Sequence, residues 1–227
     1  MILVATGLKR EAAIVAGPGI VAVCGGGAAE ALAARMAAQA AGSQAVLSFG
    51  LAGALAPDLR PGDILVGTSV TDGQETWPTD QAWSQALLSK LPRSRAAGLF
   101  GSQAMLLTRA AKAQALARTR AAAADMESHI AARLATRLGL PFAAIRAVSD
   151  AAERDLPSAV SVGLTPDGDM ALVPVLKALA RRPSELPALI RAGREAELGF
   201  RALADARHLL GPGIGRLDLG QLVLHMG

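Results

Sequence analysis

Short apolar runs alternate with longer amphipathic stretches through the first two thirds of the chain. Each run is rich in Val, Ile, Leu, Phe or Ala and is bounded by Gly, Pro or polar residues, which is typical of buried strands. The stretches between them have a helical period; Ile130, Leu134 and Leu138, for example, fall on one face. This alternation predicts a layered α/β fold. Strands are predicted at residues 2–5, 20–24, 45–49, 64–66, 97–100, 104–107 and 142–148, and helices at 28–41, 81–91, 109–119 and after Asp125.

The last part of the chain has a different pattern. A loop rich in Pro, Gly and Asp follows Asp150 and runs to Gly168, and helices are predicted at residues 170–180 and 185–210. We interpret residues 1–227 as a single domain with a helical C-terminal extension at about 169–210. Apolar side chains in this extension alternate with arginines, which are Arg181, Arg182, Arg191, Arg194, Arg201 and Arg207.

This basic extension has two interpretations. The simpler one, which we favour, is an amphipathic helix that packs on the sheet and leaves its arginines in solvent. The other is a surface that contacts an anionic membrane, since basic residues beside apolar ones bind such surfaces. The second interpretation is retained because it bears on the substrate.

Composition narrows the class of protein. The hydrophobic fraction is 52%, but much of it is alanine, and no apolar stretch reaches the roughly 20 residues of a membrane-spanning helix. The N-terminal apolar run has no basic segment before it, so it is predicted to be a first strand rather than a signal peptide. The sequence therefore predicts a cytoplasmic protein, with any membrane association limited to its surface.

Charge and cysteine content argue against two kinds of site. The net charge is +4, but the arginines are dispersed and the chain has no tyrosine, so nucleic-acid binding is not expected. A single cysteine, Cys24, and three scattered histidines argue against a disulfide or a zinc site. No metal or organic cofactor is expected, and Cys24 is predicted to be a core residue.

Two carboxylates mark the candidate site. Glu127 opens a predicted helix, and Asp150 follows the strand predicted at 142–148. Both lie at the ends of elements, where binding groups project. The pairs Met126-Glu127 and Ser149-Asp150 resemble those of the nucleoside phosphorylase and nucleosidase superfamily, whose members bind ribose with a Met-Glu pair and protonate the leaving purine with a Ser-Asp pair.

Three further segments resemble the same superfamily and occur in the expected order. Residues 50–55 read Gly-Leu-Ala-Gly-Ala-Leu, close to the family's Gly-Ser-Ala-Gly-Gly-Leu, and residues 61–66 read Pro-Gly-Asp-Ile-Leu-Val, close to Val-Gly-Asp-Ile-Val-Val. Residues 6–11, Thr-Gly-Leu-Lys-Arg-Glu, resemble the nucleosidases' Gly-Ala-Met-x-x-Glu. The resemblance implies a three-layer αβα sandwich with a central mixed sheet, and assembly as a homodimer or higher homo-oligomer.

The resemblance also implies roles for individual residues. Asp150 would protonate purine N7 with help from Ser149, Glu127 would bind the ribose hydroxyls, and Glu11 would orient the attacking water. A position just after a buried strand favours the neutral form of Asp150, as a general acid requires. The other implied substrate-binding residues are Gly50, Leu51 and Ala52, whose small size lets the backbone approach the ligand, Met126 against the sugar, and Met105 and Leu106 at the base.

Residues 101–106 depart from the family pattern. They read Gly-Ser-Gln-Ala-Met-Leu where the nucleosidases have Ser-Gly-Asp-Ala-Phe-Ile, so contact with the base would rest on softer aliphatic groups. Met105 and Leu106 would serve equally well as core residues.

The same comparison bears on the reaction and the substrate. Phosphorylases carry an arginine just before the glycine loop, and residues 48–51 have no cation, so hydrolysis is favoured. Phosphate stays an alternative co-substrate because Lys9 and Arg10 lie near the first loop. The loop at 71–79 offers Trp77 and no histidine, which implies a five-prime group other than that of methylthioadenosine.

Residues 149–157 and the arginine-rich tail resemble the hopanoid-associated branch of the superfamily. Members of this branch are assigned to removing adenine from adenosylhopane, which leaves ribosylhopane. The resemblance therefore implies a lipid-linked nucleoside as substrate. The alternatives are a methylthioadenosine/S-adenosylhomocysteine or futalosine-type nucleosidase, and a catalytically inactive nucleoside-binding protein.

A glycine cluster at residues 25–27 follows the second predicted strand. Its amides suit an anion or a sugar hydroxyl, and a plain structural turn is the alternative. A dinucleotide site is disfavoured because the spacing is not Gly-x-Gly-x-x-Gly.

Overall fold

The computed structural model describes residues 1–163, 165, 168–169 and 171–216. In this part of the chain one mixed β-sheet is covered by helices on both faces. The strands are β1 (Ile2–Thr6), β2 (Ile20–Cys24), β3 (Ala45–Ala54), β4 (Ile64–Thr71), β5 (Thr76–Pro78), β6 (Arg95–Gly101), β7 (Ala123–Asp125) and β8 (Phe142–Asp150). The helices are α1 (Lys9–Val15), α2 (Ala29–Gln39), α3 (Gln81–Lys90), α4 (Arg109–Thr119), α5 (Ser128–Leu138), α6 (Ser158–Gly163), α7 (Leu172–Arg181) and α8 (Leu186–Leu210), with a 3-10 helix at Pro183–Glu185.

Five of the strands form a closed ring. Strand β3 pairs with β8 in parallel and with β7 in antiparallel fashion, while β4 pairs with β8 antiparallel and with β6 parallel. Because β6 also pairs with β7, the path from β3 through β7, β6, β4 and β8 returns to β3. Strands β1 and β2 extend the sheet beside β3, and β5 extends it beside β4. The mixed sheet implied by the family resemblance is confirmed.

Alternate side chains of each central strand face two different cores. In β1, Leu3 belongs to the core under α2 and α5, whereas Val4 belongs to the core under α1, α3 and α8. The same alternation occurs in β8, where Ala144 and Ile145 point to opposite sides. Apolar burial on both faces explains why these strands read as continuous apolar runs. The three-layer αβα arrangement is therefore confirmed.

Several predicted elements differ from those observed. Strand β3 continues to Ala54, so residues 50–54 are strand rather than turn, because their backbones pair with β8 and β7. Residues 104–107, predicted as an apolar strand, have no regular structure. The three-residue strands β5 and β7 were not predicted, since each is too short to show a period. Helix α6 lies inside the loop predicted after Asp150.

The predicted C-terminal helices are present, and α8 is part of the core. Leu203, Ala206 and Leu210 of α8 are buried against residues such as Phe49 and Trp83. Most of its arginines are exposed, as the simpler interpretation of the extension expects. Met170, where the first of these helices was predicted to begin, lies outside the described residues. Among the described helices, none has the length and hydrophobicity needed to cross a lipid bilayer.

Candidate active site

A cavity of about 520 Å³ is lined by the second half of β3, the last residues of β7 and the last residues of β8. The three acids predicted from separate segments, Glu11, Glu127 and Asp150, all line it. Each is buried, so each carboxyl group is held by protein atoms rather than by bulk water. The fold thus brings together side chains that are far apart in the sequence.

Glu11 is fixed by backbone N–H groups at the start of α1. Its Oε2 accepts hydrogen bonds from Gly7 N at 2.7 Å and Leu8 N at 2.9 Å, and its Oε1 accepts one from Leu51 N at 2.7 Å. An acid at the third helical position commonly bonds back to the cap in this way. Burial nevertheless raises the pKa of Glu11, although Arg146 and the three N–H groups oppose that shift. Oε1 keeps a lone pair that can accept from a water molecule.

Arg146 is the buried cation of the site. It is 0% exposed, and its Nη2 lies 3.0 Å from Asp125 Oδ1 and 3.7 Å from Glu127 Oε2. The same guanidinium donates to Ser48 Oγ and Ser128 Oγ. A charge in the middle of an apolar strand is costly unless it is paired. Arg146 therefore compensates a group of buried acids.

Asp125 connects this arginine to the start of α5. Its Oδ1 accepts hydrogen bonds from Glu127 N at 2.8 Å and Ser128 N at 2.7 Å, as a helix-capping side chain does. The cap fixes the backbone that carries Glu127. The position of Asp125, two residues before Glu127, is explained by this capping role.

Glu127 has an unusual proton affinity. Burial raises its pKa to about 8, and the negative charges of Asp125 and Glu11 add to that shift, whereas Arg146 opposes it. The carboxyl group is therefore protonated at pH 7 in the unliganded protein. A neutral carboxyl can both donate to and accept from a sugar hydroxyl.

This shift predicts a stability that falls between pH 5 and pH 8. The unfolded chain releases the Glu127 proton near the ordinary value of 4.5, whereas the folded protein holds it to about pH 8. Stability from this group is fully present below pH 4.5 and is lost as pH rises to about 8. We expect Glu127→Gln to flatten this decline by on the order of a few kcal/mol, given about 1.4 kcal/mol per pKa unit. Urea unfolding of both proteins at several pH values measures how their free energies of unfolding change with pH.

Exposed Glu30 provides the matched control. Glu30→Gln should keep the wild-type pH dependence, because a solvent-exposed carboxyl has the same surroundings in both states. An unchanged slope in Glu127→Gln would show that Glu127 is not the group that retains the proton.

Asp150 is held from two sides at the end of β8. Ser149 Oγ donates to its Oδ1 at 2.6 Å, and Lys112 Nζ of α4 donates to its Oδ2 at 2.5 Å. The sequence predicted an apolar setting for this acid, and the structure gives it a buried cationic partner instead. Lys112 was missed because a single lysine among alanines in a predicted helix gives no sign of burial.

The remaining predicted residues form the cavity walls. Met105, Leu106 and Met126 line it, as do Leu51 and Ala52 of β3. Met105 and Leu106 belong to the irregular segment after β6, which lets both approach the cavity. The walls are therefore mostly apolar around a few polar groups, as ligand pockets usually are.

Gly50 does not line the cavity but lies behind Glu11. A Cβ at this position would be 2.6 Å from Arg146 Nη1 and 2.7 Å from Glu11 Cδ. We expect Gly50→Ala to destabilise the fold by about 1–3 kcal/mol and to displace the Glu11 carboxyl. Urea unfolding and a ligand-binding assay would detect the two effects.

Gly98 of β6 is the control for Gly50. A Cβ there would meet Ser69 Oγ at 3.6 Å, which is ordinary contact, so Gly98→Ala should not destabilise the protein. Equal stability of the two variants would contradict the tight packing around Gly50.

Trp77 and the glycine cluster at residues 25–27 do not line the cavity. Trp77 of β5 is buried in the core under α5 and does not line the cavity. At the glycine cluster, Gly25 N bonds to Thr6 O and Gly26 N bonds to Gly7 O, which fits a structural turn. The cavity is also lined by residues that were not predicted as site residues, and they are Leu156, Val160, Leu189, Ala192, Gly193, Ala196 and Phe200. The resemblance to the hopanoid-associated branch covers Leu156 and the arginine-rich tail, but it singled out none of these residues as a site residue.

Solved nucleosidase structures share this fold. The 5'-methylthioadenosine/S-adenosyl homocysteine nucleosidase of Helicobacter pylori, in complex with an inhibitor, matches with a TM-score of 0.64 at 15% identity over 92% of this chain and 95% of that one. The Neisseria meningitidis 5'-methylthioadenosine/S-adenosylhomocysteine nucleosidase, in complex with methylthio-immucillin-A, gives 0.61 at 16% identity over 91% and 96%. Futalosine hydrolase of Helicobacter pylori gives 0.58 at 15% identity over 90% and 97%. At such identities the likeness establishes the fold.

The family comparison is more specific to this sequence. No protein of curated function matches the chain significantly. The family model described as "Phosphorylase superfamily" matches residues 3–164. This match contains Glu11, Glu127 and Asp150 and covers well over half of the 227 residues. The chain therefore belongs to the phosphorylase superfamily.

Proposed function

We propose that this protein hydrolyses the N-glycosidic bond of an adenine nucleoside. The observation that carries the proposal is the convergence of Glu11, Glu127 and Asp150 on one cavity. Cleavage of such a bond passes through an oxocarbenium-like sugar, which needs a protonated leaving base, a bound ribose and a positioned nucleophile. Three acids in distinct surroundings suit these three tasks.

Each acid has a matching environment. Asp150, with Ser149 on one oxygen, faces the place for the base and delivers a proton to purine N7. Glu127 exchanges hydrogen bonds with the ribose hydroxyls. Glu11, fixed by three backbone N–H groups, orients a water molecule toward the anomeric carbon. Met126 lies against the sugar, and Met105 with Leu106 lies against the base.

The charges in the cavity support hydrolysis over phosphorolysis. Of the described residues that line it, the cations are Arg10 and Lys112, and each is paired with a carboxylate. Arg10 Nη1 lies 2.6 Å from Glu197 Oε2. Lys9, the other cation near the first loop, lies 2.5 Å from Asp169 Oδ2. A phosphate ion would have to displace one of these carboxylates, whereas water needs no cation.

The long apolar wall supports a large five-prime substituent. Helix α8 lines the cavity from Leu189 to Phe200, which is about 16 Å of helix at 1.5 Å per residue. Ala192, Gly193 and Ala196 on this wall are small and leave room beside the helix. With the sequence resemblance, this supports adenosylhopane as the substrate, with adenine and ribosylhopane as products in hopanoid biosynthesis.

The experiment is a base-release assay with purified protein. Adenosylhopane, or a long-chain five-prime adenosine analogue, is compared with methylthioadenosine, S-adenosylhomocysteine and futalosine, with and without phosphate. Adenine release from the long-chain nucleoside without phosphate is expected. Release only from one of the other nucleosides would assign the protein to that nucleosidase class, whose members share its fold. No release from any would favour a catalytically inactive nucleoside-binding protein.

A substitution on α8 tests the substituent site. A Cβ at Gly193 meets no atom within 4 Å, so Gly193→Leu should fit the fold while filling part of the cavity. We expect it to raise KM for the long-chain nucleoside by about tenfold, on the order of one buried aliphatic side chain, and to change methylthioadenosine binding little. Ala204→Leu, at an exposed position of the same helix, is the control. Equal effects of the two variants would exclude α8 from substrate binding.

A lipid-linked substrate would also need access from a membrane. Exposed apolar side chains on α7 and α8 lie among exposed arginines, and they are Leu176, Leu186, Ile190 and Leu198. We therefore propose that this surface contacts anionic membranes. From the family resemblance and the composition we also propose that the protein is cytoplasmic and forms a homodimer or higher homo-oligomer. Cosedimentation with anionic but not neutral vesicles, and sedimentation velocity, test the two parts.

A further inference from the structure

Lys112 is a fully hydrogen-bonded ammonium group next to the proposed general acid. Its residue is 1% exposed, and its Nζ lies 2.5 Å from Asp150 Oδ2, 2.9 Å from Ala151 O and 3.0 Å from Arg154 O. Three acceptors match the three N–H bonds of an ammonium. An ammonium donates to all three acceptors at once, and the ion pair with Asp150 compensates its charge in the buried site.

This arrangement makes Asp150 an anion in the unliganded protein. Its Oδ2 lies 2.5 Å from the ammonium of Lys112, and an opposite charge at that distance favours the ionised carboxylate. A carboxylate in this state has no proton to give. Yet a purine leaving through N9 must gain a proton at N7, and the described cavity lining contains no histidine and no second lysine that could supply it to Asp150.

We propose that Lys112 supplies the proton that Asp150 passes to the leaving base. This inference rests on the proposed N-glycosidic cleavage. As the C1′–N9 bond breaks and its electrons move to the base, Asp150 gives a proton to N7 and takes one from Lys112 Nζ. The base leaves neutral, Lys112 becomes an amine, and water adds to C1′ and releases a proton. That proton, through solvent, restores the ammonium.

Lys112 acts through Asp150 and is therefore a positioning residue in this scheme. Lys112 could instead serve only to hold the loop after β8 in place. The bonds to Ala151 O and Arg154 O fasten the loop after β8, so removal of Lys112 would disturb Asp150 whatever its role in proton transfer. The test must separate the charge and the loop contacts from the transferable proton.

Lys112→Arg makes that separation. A guanidinium keeps the charge and can donate to the same acceptors, but it does not release a proton in proteins. Lys112→Met is the second variant, for use if the larger side chain prevents folding, and circular dichroism checks the fold of both. The substrates are the adenine nucleoside that the wild type cleaves and a p-nitrophenyl riboside with the same five-prime group, whose leaving group departs without a proton.

We expect the substituted enzyme to lose about 10²-fold or more of kcat on the adenine nucleoside and to keep p-nitrophenyl riboside cleavage within about threefold. Equal losses on both substrates, or no loss on either, would overturn the inference and leave the proposed function intact. A wild type that cleaves no nucleoside would overturn both.

Discussion

Asp150→Asn is expected to lower kcat for adenine release by about 10²–10⁴-fold, the usual contribution of a general acid. The amide has nearly the same shape, and its oxygen can still accept the hydrogen bond from Ser149. It cannot transfer a proton to the leaving base, so binding should persist while turnover fails. Single-turnover adenine release and equilibrium binding of the same nucleoside separate the two quantities.

Two further variants make the result interpretable. Asp155→Asn, at an exposed acid five residues away, should retain activity within about twofold. Asp150→Asn also leaves buried Lys112 without its counterion, so the variant should be less stable. The double change with Lys112→Met should recover stability without recovering turnover. If Asp150→Asn keeps more than a tenth of wild-type kcat, Asp150 is not the proton donor.

Arg146→Met is expected to destabilise the protein by about 3–5 kcal/mol, because it breaks a buried ion pair by removing one partner. Asp125 would lose its cationic partner at 3.0 Å, and Glu11 and Glu127 would lose the positive charge that opposes their burial. Ser48 Oγ and Ser128 Oγ would lose a donor as well. Urea unfolding at pH 7 gives the free-energy difference.

Arg133→Met is the matched control for Arg146. Arg133 pairs with Asp72 at 2.9 Å, but its side chain is 51% exposed, so its removal should cost about 1 kcal/mol or less. Combining Arg146→Met with Asp125→Asn should recover part of the lost stability, since the acid that Arg146 contacts at 3.0 Å no longer needs a cationic partner. An Arg146→Met protein as stable as the wild type would show that Arg146 is not needed to compensate the buried acids.

Several strands and element ends that depend on local sequence patterns were predicted correctly. The apolar run at 142–148 became most of β8, since burial on both faces leaves a continuous apolar signal. The run at 20–24 became β2, a half-buried strand at the edge of the sheet. Glu127 and Asp150, which lie at the ends of predicted elements, both line the cavity. Pairing of both β7 and β8 with the second half of β3 brings these two acids to one cavity although they are far apart in the sequence.

What the sequence did not predict depends on distant contacts. Lys112 and Asp150 are 38 residues apart, and nothing near either residue indicates the pair. Arg146 did carry a signal, because a charged residue inside an apolar strand implies a buried partner. Residues 50–54 lay outside the strand predicted at 45–49, although pairing with β7 and β8 makes them part of β3.

The acids of the cavity and much of its apolar wall come from different parts of the chain. The acids lie within the part of the chain that matches the superfamily, whereas α8 begins after residue 164 and supplies much of the apolar cavity wall. Substitutions at Ala192, Gly193 or Ala196 reshape the space for the substituent without touching the carboxylates. Under the proposed function, selection for a new substrate can act on one terminal helix, while Glu11, Glu127 and Asp150 lie in the part of the chain that matches the superfamily.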